Sequence, residues 1–146
     1  MKVAKFGGTS MATAEQVMKV CDIVLADSQR RLVVVSAPGK RFKEDIKVTD
    51  LLINLADKFL ATGAAEEDLQ AVAKITAEYL RSKGIEAHYI NPKDAGLLLS
   101  DEFGNARVFP ESYDNLKALK NKTGIMIFPG FFGYSVSGDV VTFPRG

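Results

Sequence analysis

The chain has 146 residues, 47% of them hydrophobic and 25% charged, with a formal net charge of +1. That length sets one domain as the default and suffices for a sizeable core, while near-neutrality excludes a surface that holds nucleic acid or membrane by bulk charge, so any basic site has to be local. The single cysteine forms no internal disulfide, no apolar run approaches the ~18 residues of a membrane span, and no basic-then-apolar leader precedes the first strand-like residues, so a cytoplasmic protein is expected.

Residues 2–6 (KVAKF) read as a short strand. Over residues 13–27 the period changes: Ala14, Val17, Met18, Cys21, Val24 and Leu25 share one face of a helix. Cys21 on that face reads as a small buried hydrophobe rather than a nucleophile. Residues 31–36 (RLVVVS) form a continuous β-branched run, the mark of a strand covered on both faces. The charged stretch after it, APGKRFKEDIKV, has no period and reads as a long exposed loop. A second helix is expected over about 49–62, with Thr49 as N-cap, Leu51, Leu52, Leu55 and Phe59 on one side and Gly63 as stop. A third runs over about 65–83, opening with Glu66, Glu67 and Asp68 and closing with Arg81, Lys83 and Gly84. IEAHYI (85–90), LLLS (97–100), ARVF (106–109) and GIMIF (124–128) are strand candidates, with a Gly104-Asn105 turn between the second and third. Residues 112–121 form a short helix with Ser112 as cap, and Ser137-Gly138 marks a hairpin turn. Strands alternating with helices predict an α/β fold with a largely parallel sheet, whose ligands lie beyond the carboxyl ends of the strands.

That rule selects the loops after residues 6, 36, 90 and 128. The first, Gly7-Gly8-Thr9-Ser10, joins a strand to a helix. Glycines there let backbone N–H groups turn inward as an anion nest, and Lys5 adds a cation; the same residues also suit a plain tight turn. Neither the dinucleotide fingerprint nor the P-loop pattern fits them. The second loop, VSAPGK, carries Ser36 at a strand end. The third holds Phe131 and Phe132 between Gly130 and Gly133, and phenylalanines in a loop need something to pack on. Arg145 comes at the far end of the hairpin; an arginine converging with Lys5 would hold a carboxylate or phosphate by a two-pronged grip. His88 has no Cys, His or Asp companions at metal-ligand spacing, so a structural role is expected and no metal ligand is assigned. No Ser-His-Asp or Cys-His set stands out.

Taken in order, KFGGTS (5–10), VVVSAPGK (33–40) with VTDLL (48–52), and FPGFFG…GDVVTFPRG (128–146) resemble the aspartate kinases, members of the amino acid kinase family. The resemblance covers residues 1–62 and 85–146. It implies the αβα sandwich of that family, with a mainly parallel sheet, and transfer of the γ-phosphoryl of ATP to the side-chain carboxylate of L-aspartate with magnesium, opening lysine, threonine and methionine synthesis. By the same resemblance Lys5, Phe6, Gly7 and Gly8 meet the phosphates, with Lys5 neutralising the phosphoryl group in flight. Ser36, Thr49, Phe131 and Arg145 line the aspartate site.

The pattern also departs from the family. A longer stretch carrying a Ser-x-Gly-Glu motif is expected between the second helix and the strand at 85, and residues 63–84 are too short for it. The family continues Arg-Gly into Gly-Ser-Asp, adds a C-terminal half with most of the nucleotide pocket, and then regulatory ACT domains. The expectation is therefore the N-terminal lobe of an aspartate kinase over 1–146, internally shortened, truncated and inactive alone, with an unpaired sheet edge through which it self-associates. Two other readings stand beside it: a kinase acting on glutamate or carbamate, against which the FPGFFG…TFPRG run argues, and a non-catalytic interaction module.

Overall fold

The structure is a computed structural model that describes residues 1–39 and 66–144. They fall into two compact units, one of Met1–Tyr89 with Gly124–Gly130, the other of Ile90–Thr123 with Phe131–Gly146. The helix expected over 49–62, with Thr49 and Gly63, lies outside the described residues, as does Arg145.

The first unit contains β1 (Lys2–Gly8), a 3-10 turn (Thr9–Met11), α1 (Ala14–Leu25), β2 (Arg30–Pro38), α2 (Glu66–Ser82) and β3 (Ala87–Tyr89). It is completed by β5 (Ile125–Pro129), and its four strands lie in the order β1-β2-β5-β3, with every pairing parallel. Parallel neighbours cannot be joined by a tight turn, and α1 supplies the crossover from β1 to β2. Thr13 starts α1, accepting the Gln16 amide on its hydroxyl at 3.3 Å. Gly84 (φ 75) ends α2. Its N–H reaches Arg81 O at 2.9 Å and that of Ile85 reaches Leu80 O at 3.1 Å, the paired bonds of a Schellman stop.

Val20, Cys21 and Val24 of α1, Val33 and Val35 of β2, Ala73, Ala77 and Leu80 of α2, and Ile127 of β5 form one buried cluster. The face of α1 differs from the expected one. Val17, Val20, Cys21 and Val24 face the core, whereas Ala14, Met18 and Leu25 are exposed. Both stripes keep helical spacing, and contact with β2 and α2 selects between them. Burial pushes the Cys21 thiol up to about 11, helped by the Asp22 charge, so it stays a neutral packing group.

The second unit holds β4 (Leu98–Leu99), α3 (Glu111–Lys117) with a 3-10 extension (Ala118–Asn121), β6 (Phe132–Ser135) and β7 (Val140–Thr142). β4 pairs with β6 in parallel and β6 with β7 in antiparallel fashion, and the hairpin turns at Gly138 (φ 92) as expected. Two readings are corrected. ARVF is no strand: only an isolated bridge joins Val108 to Leu99. Ser112 is no cap: Pro110 holds the N-cap position, without a side-chain cap bond. Ser112 is fully buried instead; its hydroxyl accepts the Leu98 amide at 2.9 Å and donates to the Leu98 carbonyl at 3.0 Å. A serine at the second position of a helix is indistinguishable by sequence from one that caps it.

Candidate active site

β1 does not stop at Phe6. It runs on through Gly7 and Gly8, because β2 runs beside it as far as Pro38. The pairing slips there: Phe6 faces Val35 and Gly8 faces Pro38, so Ser36 and Ala37 stand against Gly7 alone. This is a bulge in a parallel ladder, a rare device that re-aims a side chain and gathers near functional sites. Here it brings the Ser36 hydroxyl over Gly7. That hydroxyl donates to Phe6 O at 3.3 Å, and it fills the space where a Cβ on Gly7 would stand. A side chain on residue 7 would force that hydroxyl to turn away.

Alternation assigns the neighbours. Val33, Val35 and Phe6 face the helices α1 and α2, so Lys5, Gly7, Val34 and Ser36 take the opposite face of the sheet. Lys5 is exposed and makes no ion pair among the described residues. Phe6, expected among the phosphate-contacting residues, packs its ring on the core cluster, which leaves its backbone as the part nearest the loop. Gly8 has φ 61 and ψ −132, a conformation strained for any residue with a side chain. The 3-10 turn Thr9–Met11 follows directly, and the first backbone N–H groups of such a turn have no partner within it.

The third loop joins at Gly130. Its amide donates to Val35 O at 2.6 Å, and a Cβ there would stand 3.4 Å from the Ser36 Cβ. The ends of β1, β2 and β5 are thus drawn together around Ser36. Phe131, the next residue, belongs to the second unit. It is half-buried with φ 81, the one described residue other than glycine in that region. Such strain costs of order 1–3 kcal/mol and persists where surrounding structure enforces it; the Phe143 amide bonds its carbonyl at 2.9 Å. Phe132 is buried, edge-on to Tyr134 at 6.1 Å. The packing partner that the phenylalanines required therefore exists for Phe132 inside its own sheet.

Of the expected site residues, Lys5, Phe6, Gly7, Gly8 and Ser36 come together in the first unit. Phe131 is placed in the second, and Thr49 and Arg145 lie outside the described residues. His88 is exposed on β3, 3.2 Å from Glu86. Sequence reading missed Gly39 as a neighbour of the first loop: its amide donates to Gly8 O at 2.6 Å. The Pro-Gly pair at 38–39 was the available signal, but it says nothing of what the glycine approaches. Among the described residues no three His, Cys, Asp or Glu side chains form a metal cage.

A cation, clustered amides and a hydroxyl at the carboxyl edge of a parallel sheet suit a phosphorylated or carboxylated small molecule. Comparison with known proteins is consistent with that class. The profile of the amino acid kinase family matches residues 1–146, and the chain belongs to that family. It is 43% identical over 196 residues to Aspartokinase 3 of Bacillus subtilis (strain 168), an alignment covering 99% of this chain and 43% of that protein. It is 31% identical over 159 residues to the aspartokinase of Geobacillus stearothermophilus, covering 99% of this chain and 36% of the relative. Among solved structures, E. coli aspartokinase III in complex with aspartate and ADP superposes with a TM-score of 0.72 at 22% identity, over 99% of this chain and 43% of that one. The Clostridium acetobutylicum aspartate kinase gives 0.67 at 25% identity, over 98% and 42%. The fold is that of the amino acid kinases, and the chain spans less than half the length of these relatives.

Proposed function

We propose that this chain is the N-terminal, phosphate- and substrate-binding part of an aspartate kinase, which moves the γ-phosphoryl of ATP onto the side-chain carboxylate of L-aspartate. The observation that carries the reading is the bulge that sets Ser36 over Gly7, with Lys5 on the same face and the Gly8 turn beside it. The 43% identity to an aspartokinase supports aspartate over glutamate or carbamate.

Phosphoryl transfer leaves a protein little covalent work, so positioning and charge stabilisation carry the rate. Lys5 neutralises the developing charge on the transferred group. The backbone N–H groups of Gly7, Gly8 and the turn after them orient its oxygens. Ser36 hydrogen-bonds the aspartate, and Thr49, Phe131 and Arg145 complete its binding, Arg145 by gripping a carboxylate. Magnesium travels with the nucleotide's phosphates, which demand only one or two carboxylates from a protein; the described residues offer no cluster for it, and none of these roles runs through the ion.

The shortened segment near 63–84 belongs to the same proposal. The alignment to Aspartokinase 3 runs over 196 residues against 146 here, so that relative carries a stretch with no counterpart in this chain. We therefore propose that the 146-residue chain binds phosphate and does not turn over aspartate. Its single cysteine is buried, and no described helix is long and apolar enough to cross a membrane; both suit a cytoplasmic site of action.

Titration with inorganic phosphate, monitored by backbone amide shifts, tests the reading. Gly7, Gly8 and Thr9 should move, and Lys5→Met should abolish the response. Shifts confined to residues 40–47 would show that the first loop is a plain turn. A coupled assay completes the test: phosphorylation of aspartate by this chain, lost in Lys5→Ala, would refute the proposed inactivity while upholding the chemistry.

A further inference from the structure

Gly39 has no part in the chemistry assigned above, yet it lies directly against the first loop. Its N–H donates to the Gly8 carbonyl at 2.6 Å. A Cβ on it would stand 2.6 Å from Thr9 N and 2.9 Å from Gly8 Cα, and nearer still to the Gly8 carbonyl carbon. These are backbone atoms, and they cannot swing aside as the tip of a side chain would. The second loop therefore rests directly on the Gly8–Thr9 peptide, and only a glycine permits that approach.

Peptide geometry gives this contact a consequence. In a trans peptide the C=O and N–H point in opposite directions. Holding Gly8 O toward Gly39 fixes the Thr9 N–H on the other side. Gly8, at φ 61 and ψ −132, has no side chain to resist rotation of this peptide. Without the second loop the Thr9 N–H would point to either side.

We propose that Gly39 is a positioning residue: its amide and its missing side chain lock the Gly8–Thr9 peptide so that the Thr9 N–H is already aimed at an incoming phosphoryl oxygen. The role rests on the phosphate reading of residues 5–10. It places the orientation of one loop's donor under control of the loop that carries Ser36, so that the phosphate and substrate sides of the site are built as one piece. A donor aimed in advance needs no reorganisation when charge develops, which is where such groups gain their effect.

The test uses the isotope-labelled chain, its Gly39→Ala variant and inorganic phosphate. In the unchanged chain, a scalar coupling across the hydrogen bond should link the Gly39 nitrogen to the Gly8 carbonyl carbon, and the Gly39 amide should exchange slowly. Phosphate should shift Gly7, Gly8 and Thr9. In Gly39→Ala the coupling should vanish and phosphate affinity should fall about tenfold or more, as for one misdirected donor to a charged group. The Thr9 shift should shrink most, while resonances of α1 and β5 stay in place; a role in folding alone would not single out Thr9. Equal phosphate binding by variant and parent overturns the inference. Should the variant not fold, the parent decides: a missing coupling with fast exchange at Gly39 overturns the clamp, and a coupling with protection that rises on adding phosphate supports it. A parent that shows the coupling but no phosphate shift at residues 7–9 marks failure of the phosphate reading itself, and the role of Gly39 falls with it.

Discussion

Glycine serves opposite ends in the two units. In the second, Gly133 lies beneath Leu99, where a Cβ would come 2.6 Å from the Leu99 Cδ1 and 3.2 Å from the Leu97 Cδ2. It makes room for side chains, and a core is the result. In the first, Gly7 yields to a hydroxyl and Gly39 to a neighbouring backbone. Those glycines bring polar groups close together and bury little. A glycine whose space is filled by leucine is replaceable in principle by repacking. One whose space is filled by a peptide group is not, because nothing there can move without undoing the local hydrogen bond. The contrast separates residues that hold the fold from residues that shape the site.

The largest expected effect belongs to the packed side of this contrast. Leu99 is fully buried, and Leu99→Ala should cost about 2–5 kcal/mol in chemical denaturation. Gly133→Ala should cost about 1–3 kcal/mol by overpacking. Combined, the two should cost less than their sum, because the smaller side chain at 99 leaves room for the new methyl. Strict additivity would show that Gly133 is there for its backbone instead. Neither change should alter phosphate shifts at residues 7–9.

Gly8→Ala comes next. The conformation at φ 61 is strained for alanine, at a cost of about 1–3 kcal/mol. A Cβ there meets nothing within 4 Å, so relaxation of the turn, not a clash, should set the loss. Phosphate binding should fall with stability, which separates this glycine from Gly133. Lys5→Met should do the reverse of Leu99→Ala. The side chain is exposed, so stability should change by no more than about 0.5 kcal/mol, while phosphate affinity drops about tenfold or more for one lost charged donor.

The smallest effect concerns acid. Asp27 in the first unit is held below the usual carboxylate range, first by the hydrogen bond from Lys2 and then by the Gln29 amide. Asp101 in the second is lowered by Ser135 and then Ser137. A lowered folded pKa means that the unfolded chain binds the proton more readily. Stability from each is therefore present above about pH 4 and lost as pH falls through the lower folded value. Asp27→Asn should flatten the acid dependence of amide exchange in the first unit only, and Asp101→Asn in the second only. A shared response would mean that the two units open together.

How much of this was legible in sequence depended on whether the cause was local. The β-branched run of β2 and the stop at Gly84 are each set by neighbours within a turn or so, and both were found. The helix face was misread at Ala14, Met18 and Leu25 because two stripes satisfy the same spacing until a sheet chooses one. Ser112 was misread because its hydroxyl serves Leu98, far along the chain. At the site, Lys5, Gly7, Gly8 and Ser36 were readable as candidates from their place at strand ends. The bulge that joins them was not, since a register exists only between two strands. Gly39 escaped for the same reason: its neighbour is another loop.

The bulge also makes the site a counting device. Two residues of β2 are matched to one of β1 between the pairs Phe6–Val35 and Gly8–Pro38. Deleting a single codon among 36–38 would leave the core and most of the ladder intact, yet the strand ends would fall into step and turn the residues beyond them to the opposite face. A substitution can spoil one contact; a frame-preserving loss of one residue here would rotate the whole strand end while the protein still folded. Natural variation around this loop should therefore almost never change its length.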